Sequence, residues 1–476
     1  MEHIVFQYFE EISAIPRGSR NCQEISDYLV SFAKDRNLFY IQDDAKNVII
    51  KKPGSAGFED APAVILQGHM DMICEKIEGS THDFLKDGLT LEIKDDYLSA
   101  KDTTLGGDDG IAIAYALAIL ADDTLVHPPL EVVITTDEEI GLLGATALDA
   151  SSLEAAYMIN IDSEDEDIIL ASCAGGLRAD CRLPLTYEKQ EGRRLTITVK
   201  GLLGGHSGGD IDKGRLNANL LLARLMFDLG TFSFSVSEMK GGLMDNAIPR
   251  EAVAHIVTSE EEAYKIINEV KFLNEKYRSE CRTNEPDLTI TISQGEEKTY
   301  SVMTKESYQK LLFFLLEAPN GILTMSPDIE GLVESSLNLG IFTTNETEAR
   351  MAYAVRSSLS SYKAFIRNKL EYFITYLGGT FSTSGEYPGW EFKKDSKLRT
   401  IYAEAYQKVT GNEIRVEAIH AGLECGILSE KIGNLDIISV GPQMHDIHTT
   451  EERLSISSTL RVYETLLWTL RALAAR

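Results

Sequence analysis

Short apolar runs and helical patterns alternate over the first part of the chain. Runs at 46–51, 62–67, 130–136 and 157–162 have the length and β-branched content of buried strands, and 109–121 (DGIAIAYALAILA) reads as a strongly apolar helix. Strand, helix, strand at this rhythm predicts an α/β fold with a mixed, largely parallel sheet covered by helices. The same texture returns after about residue 389, with a helix near 395–409, strands near 414–419 and 435–441, and a terminal helix from about 457. Between these parts the period changes. LTITVKG (195–201), FSFSVSEM (232–239), REAVAHIVTS (250–259), LTITISQ (288–294) and EARMAYAVRSS (348–358) alternate with period two, as strands with one wet face do. Helical segments at 214–229, 260–280, 304–317 and 361–377 separate them. The pattern therefore predicts one domain formed by 1–186 and 389–476, and an inserted α+β domain at 187–388.

Composition narrows the possibilities. A chain of 476 residues is long enough for two cores, and its net charge of −28 argues against a nucleic-acid partner. Apolar runs stay below the roughly 18 residues a membrane span needs. The amino terminus (MEHIVFQYFEEI) lacks a basic region and reads as an amphipathic helix, not a secretion signal. Cys22, Cys74, Cys173, Cys181, Cys281 and Cys425 show no C-x-x-C spacing and fit reduced thiols. A cytoplasmic location is expected.

The candidate chemistry sits where apolar runs end. AVILQGHMDM (63–72), TLGGDDGIA (104–112), LEVVITTDEEIG (130–141), YMINIDSEDE (157–166) and IISVGPQMHDIHTTEE (437–452) each finish a strand or open a helix with acids or histidine. Ligands of an open parallel sheet collect beyond the carboxyl ends of its strands, so these segments can converge. Buried charges there must be paired or bound to metal. His69 is a candidate metal ligand, with Asp71 placed to hold its other ring nitrogen. Asp108, in a glycine-rich turn before a helix, suits a carboxylate bridging two ions. Adjacent residues point in different directions, so Glu139 can bind metal while Glu138 acts as general base. Asp162 would bind the ion opposite Glu139, and the tail supplies His445 or His448. Taken singly, an H-x-D stretch or an acidic pair is common. Five such segments in order, each just after a buried run, are not.

These five segments resemble the dinuclear zinc hydrolases that include aminoacylase, carboxypeptidase G and the carnosine dipeptidases. QGHMDMICEK, TLGGDDGIAIA, TTDEEIGLLGA, GLLGGHSGGDI, DNAIPRE and HAGLECGIL extend the resemblance over nearly the full length to the bacterial aminoacyl-histidine dipeptidase branch. The resemblance implies His69, Asp108, Glu139, Asp162 and His448 as ligands of two zinc ions, with cobalt or manganese able to take the same N/O sites. It implies Glu138 as base, Asp71 as orienter and a cis peptide after Asp108. His448 is preferred to His445 by its place in HTTEE, where Thr450 replaces the usual proline. The inserted domain resembles the family's lid, which carries the dimer contact and implies a homodimer. In the lid, His206 of GGHSGG would stabilise an oxyanion, and Asn246 and Arg356 would hold the substrate's carboxylate. His420 and Glu424 of HAGLECG, expected on one strand-to-helix turn of the catalytic domain, would help seat the peptide or equally support the core.

The activity so implied is hydrolysis of dipeptides, Xaa-His such as β-Ala-His or broader. An aminoacylase or tripeptidase on the same scaffold is the alternative. A silent metal-binding interaction protein is a further one, and it predicts a broken ligand set, whereas every position here is filled.

Overall fold

The computed structural model describes residues 2–475. The chain forms two compact units. One runs through Cys173 and adds Trp390–Ala418 and the segment from Leu423 onward; the other comprises Ala174–Gly389 and Ile419–Gly422.

The first unit is built on an eight-stranded sheet. Its order is Phe39–Gln42, Val48–Lys52, Leu130–Thr135, Val64–His69, Tyr157–Asn160, Asp436–Ser439, Ile168–Cys173 and Arg415–Ile419. The four strands from Leu130–Thr135 to Asp436–Ser439 are mutually parallel, and antiparallel pairs flank them. All residues of these four are buried, which is why they read as unbroken apolar runs rather than alternating ones. The helix Gly107–Ala121 is buried along almost its whole length and shares a core with the helices Ile4–Ser13 and Ile456–Ala474. A small antiparallel sheet of Leu91–Lys94, Tyr97–Ala100, Arg453–Ser455 and Met444–His445 anchors the tail turn that holds His448.

The second unit is an antiparallel sheet backed by helices. Its strands run in the order Thr289–Met303, Tyr187–Lys200, Ala252–Thr258, Ser235–Gly241, Val333–Thr344, Glu348–Ser357, Gly175–Pro184 and Thr380–Tyr387, with Gly321–Met325 beside Val333–Thr344. The helices Ala218–Asp228, Glu260–Cys281, Lys305–Glu317 and Ser360–Tyr376 share one apolar core with it. The unit begins at Ala174, not at 187. Gly175–Pro184, assigned above to the first domain, pairs instead with Glu348–Ser357 and Thr380–Tyr387. Its period-two pattern explains this: Leu177, Ala179, Cys181 and Leu183 are buried, whereas Arg178 and Arg182 face outward.

The chain leaves the first unit at Cys173 and returns at Trp390. The two backbones exchange hydrogen bonds of 3.1 and 3.0 Å at that point.

Candidate active site

Register brings the acids of the first unit together. His69 lies opposite Thr135, so their two strands end level, and Gln67 lies opposite both Val133 and Asn160, so the third strand ends two residues short of them. The residues just beyond them, Asp71, Glu138, Glu139 and Asp162, gather at the carboxyl edge of the parallel core.

The imidazole of His69 is 1% exposed. Its Nδ1 faces Asp71, 3.1 Å from the carbonyl oxygen and 3.4 Å from Oδ1, which favours the proton there. Nε2 then turns its lone pair toward Asp108 Oδ1 at 3.0 Å and Asp162 Oδ1 at 3.5 Å. The other oxygen of Asp108, Oδ2, lies 3.1 Å from His448 Nε2, and Glu139 Oε1 lies 3.0 Å from the same nitrogen. Two donor groups therefore exist, His69–Asp108–Asp162 and Asp108–Glu139–His448, and Asp108 gives one oxygen to each. The Asp108–Asp109 peptide is cis. His445 is absent from both groups, and its ring lies tilted at 52° to that of Tyr97 with centroids 5.8 Å apart.

The donors fit cations better than they fit one another. Glu139 Oε1 is buried without a hydrogen-bond partner, although His448 Nε2 is within 3.0 Å. Such an approach without bonding geometry suits two atoms aimed at one ion. The charge balance agrees. Burial pulls the His69 imidazole down, but hydrogen bonds to Asp108, Asp162 and Asp71 raise it well above its ordinary value. Burial, with Asp108 and Glu139 adding to it, pushes Asp162 up to about 6 against the pull of His69. So dense a set of carboxylates with imidazole nitrogen is the donor chemistry of zinc and its neighbours.

Glu138 stands beside this set. Burial, reinforced by Asp162, Glu424 and Glu139, pushes it up to about 9 against the pull of His69. Its position comes from Asp71, whose buried carboxylate accepts the backbone N–H of Glu138 at 3.0 Å and of Glu139 at 3.4 Å, and Ser19 Oγ at 2.8 Å. Asp71 therefore orients the His69 ring and the Glu138–Glu139 turn together. Residue spacing pointed to the first role and held no signal for the second.

Glu424 is also in this unit, wholly buried as the first residue of the helix Glu424–Ile432. Its Oε2 accepts Gln67 Nε2 at 2.5 Å and Thr135 Oγ1 at 2.6 Å, while Oε1 has no partner. Of the two roles expected for Glu424, a carboxyl with no exposed surface that bonds two neighbouring strands fits the second, support of the core.

The remaining candidates form a separate cluster in the second unit. His206 pairs through its strand with Ala247, next to Asn246, whose carbonyl accepts Ser207 N–H at 2.8 Å. The N–H groups of Gly208 and Gly209 donate to His206 Nδ1 at 3.3 and 3.1 Å, so the ring proton sits on Nε2. That nitrogen is 3.2 Å from Arg356 Nη2. Two donors thus face a common point, an arrangement that suits an anionic oxygen. Arg356 is 9% exposed, donates to Tyr387 Oη at 3.3 Å and leaves a buried Nε unpartnered. Burial, with Arg356 next to it, lowers the His206 imidazole. His420 belongs here as well, bonded to Ser336 Oγ at 2.7 Å, because Ile419–Gly422 falls in the second unit. His420 and Glu424, expected on one turn of one domain, are divided between the two units. Tyr387 and Ser336 carried no signal in the sequence.

The architecture and its carboxylate-rich strand ends are those of a metallopeptidase, and the chain belongs to peptidase family M20/M25/M40, whose model matches residues 65–472. It is 33% identical over 480 residues to the cytosol non-specific dipeptidase of Escherichia coli K12, covering 99% of this chain and 98% of that one. Among solved structures it is similar to the aminoacylhistidine dipeptidase of Vibrio alginolyticus, with TM-score 0.93, 34% identity and coverage of 98% and 96% of the two chains. Aminopeptidase PepT of Bacillus cereus shares the fold at TM-score 0.57 and 15% identity over 99% and 98% of the chains. No helix among the described residues is long and apolar enough to cross a membrane.

Proposed function

We propose that this protein is a cytosolic dipeptidase that cleaves unblocked dipeptides, Xaa-His among them, in a reaction needing two bound metal ions. The observation that carries the reading is Asp108, whose two oxygens serve two donor groups with Glu138 alongside. The names of the Escherichia coli and Vibrio alginolyticus relatives support the substrate class, and the first of them supports the location.

In this reading His69, Asp108 and Asp162 hold one ion and Asp108, Glu139 and His448 the other. Bound there, a pair of zinc ions would supply Lewis acidity and lower the pKa of water. Glu138 takes the proton of the attacking water and returns it to the leaving amine. The raised value of Glu138 suits this, because nearby cations pull such a carboxyl back toward neutrality. Asp71 keeps His69 in the right tautomer and fixes the turn that aims Glu138. His206 and Arg356 present donors for the developing oxyanion and the peptide carboxylate, with Asn246 at the neighbouring strand end. The second unit is read as the lid and as the contact of a homodimer, on the strength of the family resemblance.

The test is a substrate panel of β-Ala-His, Gly-His, Ala-His, Leu-Leu, a tripeptide and an N-acetyl amino acid, run with chelator and then with zinc restored. Metal-restored cleavage of the free dipeptides is expected. Cleavage of only the acetylated compound would make the protein an aminoacylase, and of only the tripeptide a tripeptidase.

A further inference from the structure

Two buried charged residues of the first unit have no part in the reaction as described. Glu452 is 3% exposed and Arg17 is 2% exposed. Burying an acid and a guanidinium is costly unless hydrogen bonds satisfy them. Glu452 meets this with backbone. Its Oε2 accepts the N–H groups of Leu105 at 2.7 Å and Gly106 at 3.0 Å, and its Oε1 those of Gly107 at 2.8 Å and Asp108 at 3.5 Å. These N–H groups form the turn that opens the helix Gly107–Ala121, where unpaired donors and the helix dipole favour an anion. Arg17 binds the same turn from the other side. It donates to the carbonyl oxygens of Met70 at 3.1 Å and Asp71 at 3.4 Å, and to that of Gly106. Glycine leaves room for this approach, since a Cβ on Gly106 or Gly110 would lie 2.5 Å from Arg17 Nη2 as it stands.

Together these side chains join three segments: the strand end with His69 and Asp71, the turn with Asp108, and the tail with His448. The tail is the least regular of the three. His448 has φ +62°, a left-handed conformation that a histidine keeps only where its surroundings hold it. Glu452 lies four residues further on, and its own N–H closes the turn onto the Thr449 carbonyl at 3.2 Å.

We propose that Glu452, backed by Arg17, is a positioning residue that sets the spacing of the two donor groups by fixing the shared Asp108 against the tail that carries His448. This rests on the two-metal reading above. His69 and Asp162 are placed by paired strands and by Asp71, so loss of Glu452 falls mainly on the group containing His448.

The experiment is zinc titration against a chromophoric chelator for wild type, Glu452→Gln and Leu454→Ala, with Tm, kcat and KM alongside. The Glu452→Gln change turns an amide N–H₂ onto backbone donors. The expected result is two zinc ions in wild type, and in E452Q one of them weakened about ten- to hundred-fold with the other within about threefold. In E452Q kcat should fall while KM changes little. Leu454→Ala, a core truncation in the same tail, should lower Tm and leave both zinc affinities intact. Wild-type affinities in E452Q, or equal loss of both ions, would overturn the proposal. Fewer than two ions in wild type would remove the two-metal reading first and this inference with it. Should E452Q not fold, Arg17→Lys is judged by the same titration and the same criteria.

Discussion

The two units assemble polar groups by opposite means. In the first, acids stand at the ends of buried parallel strands, and backbone N–H groups fix Asp71 and Glu452 beside them. In the second, nitrogen donors stand on a glycine-rich loop and a sheet strand, and they face one another at 3.2 Å without an acceptor between them. One site gathers negative charge that needs cations, and the other gathers donors that need an anion.

The comparison breaks most completely at Asp108. Asp108→Asn keeps the shape but not two anionic oxygens, and it should abolish binding of the metal pair and activity with it, read by metal analysis after gel filtration. Glu138→Gln should separate metal from chemistry, leaving both ions bound and lowering kcat about 10²- to 10⁴-fold. Substantial activity in that variant would remove Glu138 as base.

Changes in the second unit should be smaller and of another kind. His206→Ala is expected to lower kcat by about 10²- to 10³-fold, as loss of one oxyanion donor does. Arg356→Lys should mainly raise KM, by about tenfold or more, because a point charge replaces a planar fork. Equal effects of both variants on kcat and KM would merge the two roles.

The smallest expected effects concern pH, and they run in opposite directions. Burial pushes Glu424 up to about 7 from 4.5, so folding binds its proton more tightly. That stabilisation is complete below pH 4.5 and disappears as pH rises through about 7. Burial, with Arg356 and His206 nearby, drops His420 from 6.5 to about 3. Its contribution is complete above pH 6.5 and disappears as pH falls through about 3. In the metal-free protein, Glu424→Gln should gain roughly 1–3 kcal/mol over wild type at pH 8, and His420→Gln should flatten the acid limb. Tm curves parallel to wild type across pH would contradict both.

The legible part of this molecule was whatever obeyed local rules. Buried parallel strands read as apolar runs, and a charged residue or histidine after such a run has few harmless explanations, so His69, Asp108, Glu139 and Asp162 stood out, whereas only the family resemblance chose His448 over His445. Glu452 did not, because in the string EER it looks like a solvated charge, and only its four backbone donors reveal otherwise. Arg17, in PRGSR, is hidden in the same way. Gly175–Pro184 went unread because its alternating Arg and Asp weaken the apolar signal of its buried face. His420 went to the wrong unit because four residues, Ile419–Gly422, change allegiance between a strand and a helix, and no composition marks that step.

The hydrogen-bonded pair at Cys173 and Trp390 has an evolutionary consequence. More than two hundred residues lie between these positions, yet the chain departs and comes back through adjoining backbone. All four parallel strands lie outside the inserted stretch, so it can lengthen or shrink without interrupting any of them. Natural variation can therefore revise the inserted stretch while inheriting the carboxylate-rich strand ends, provided Ile419–Gly422, which belongs to the same unit, changes with it. A laboratory can do the same by transplanting that segment between relatives.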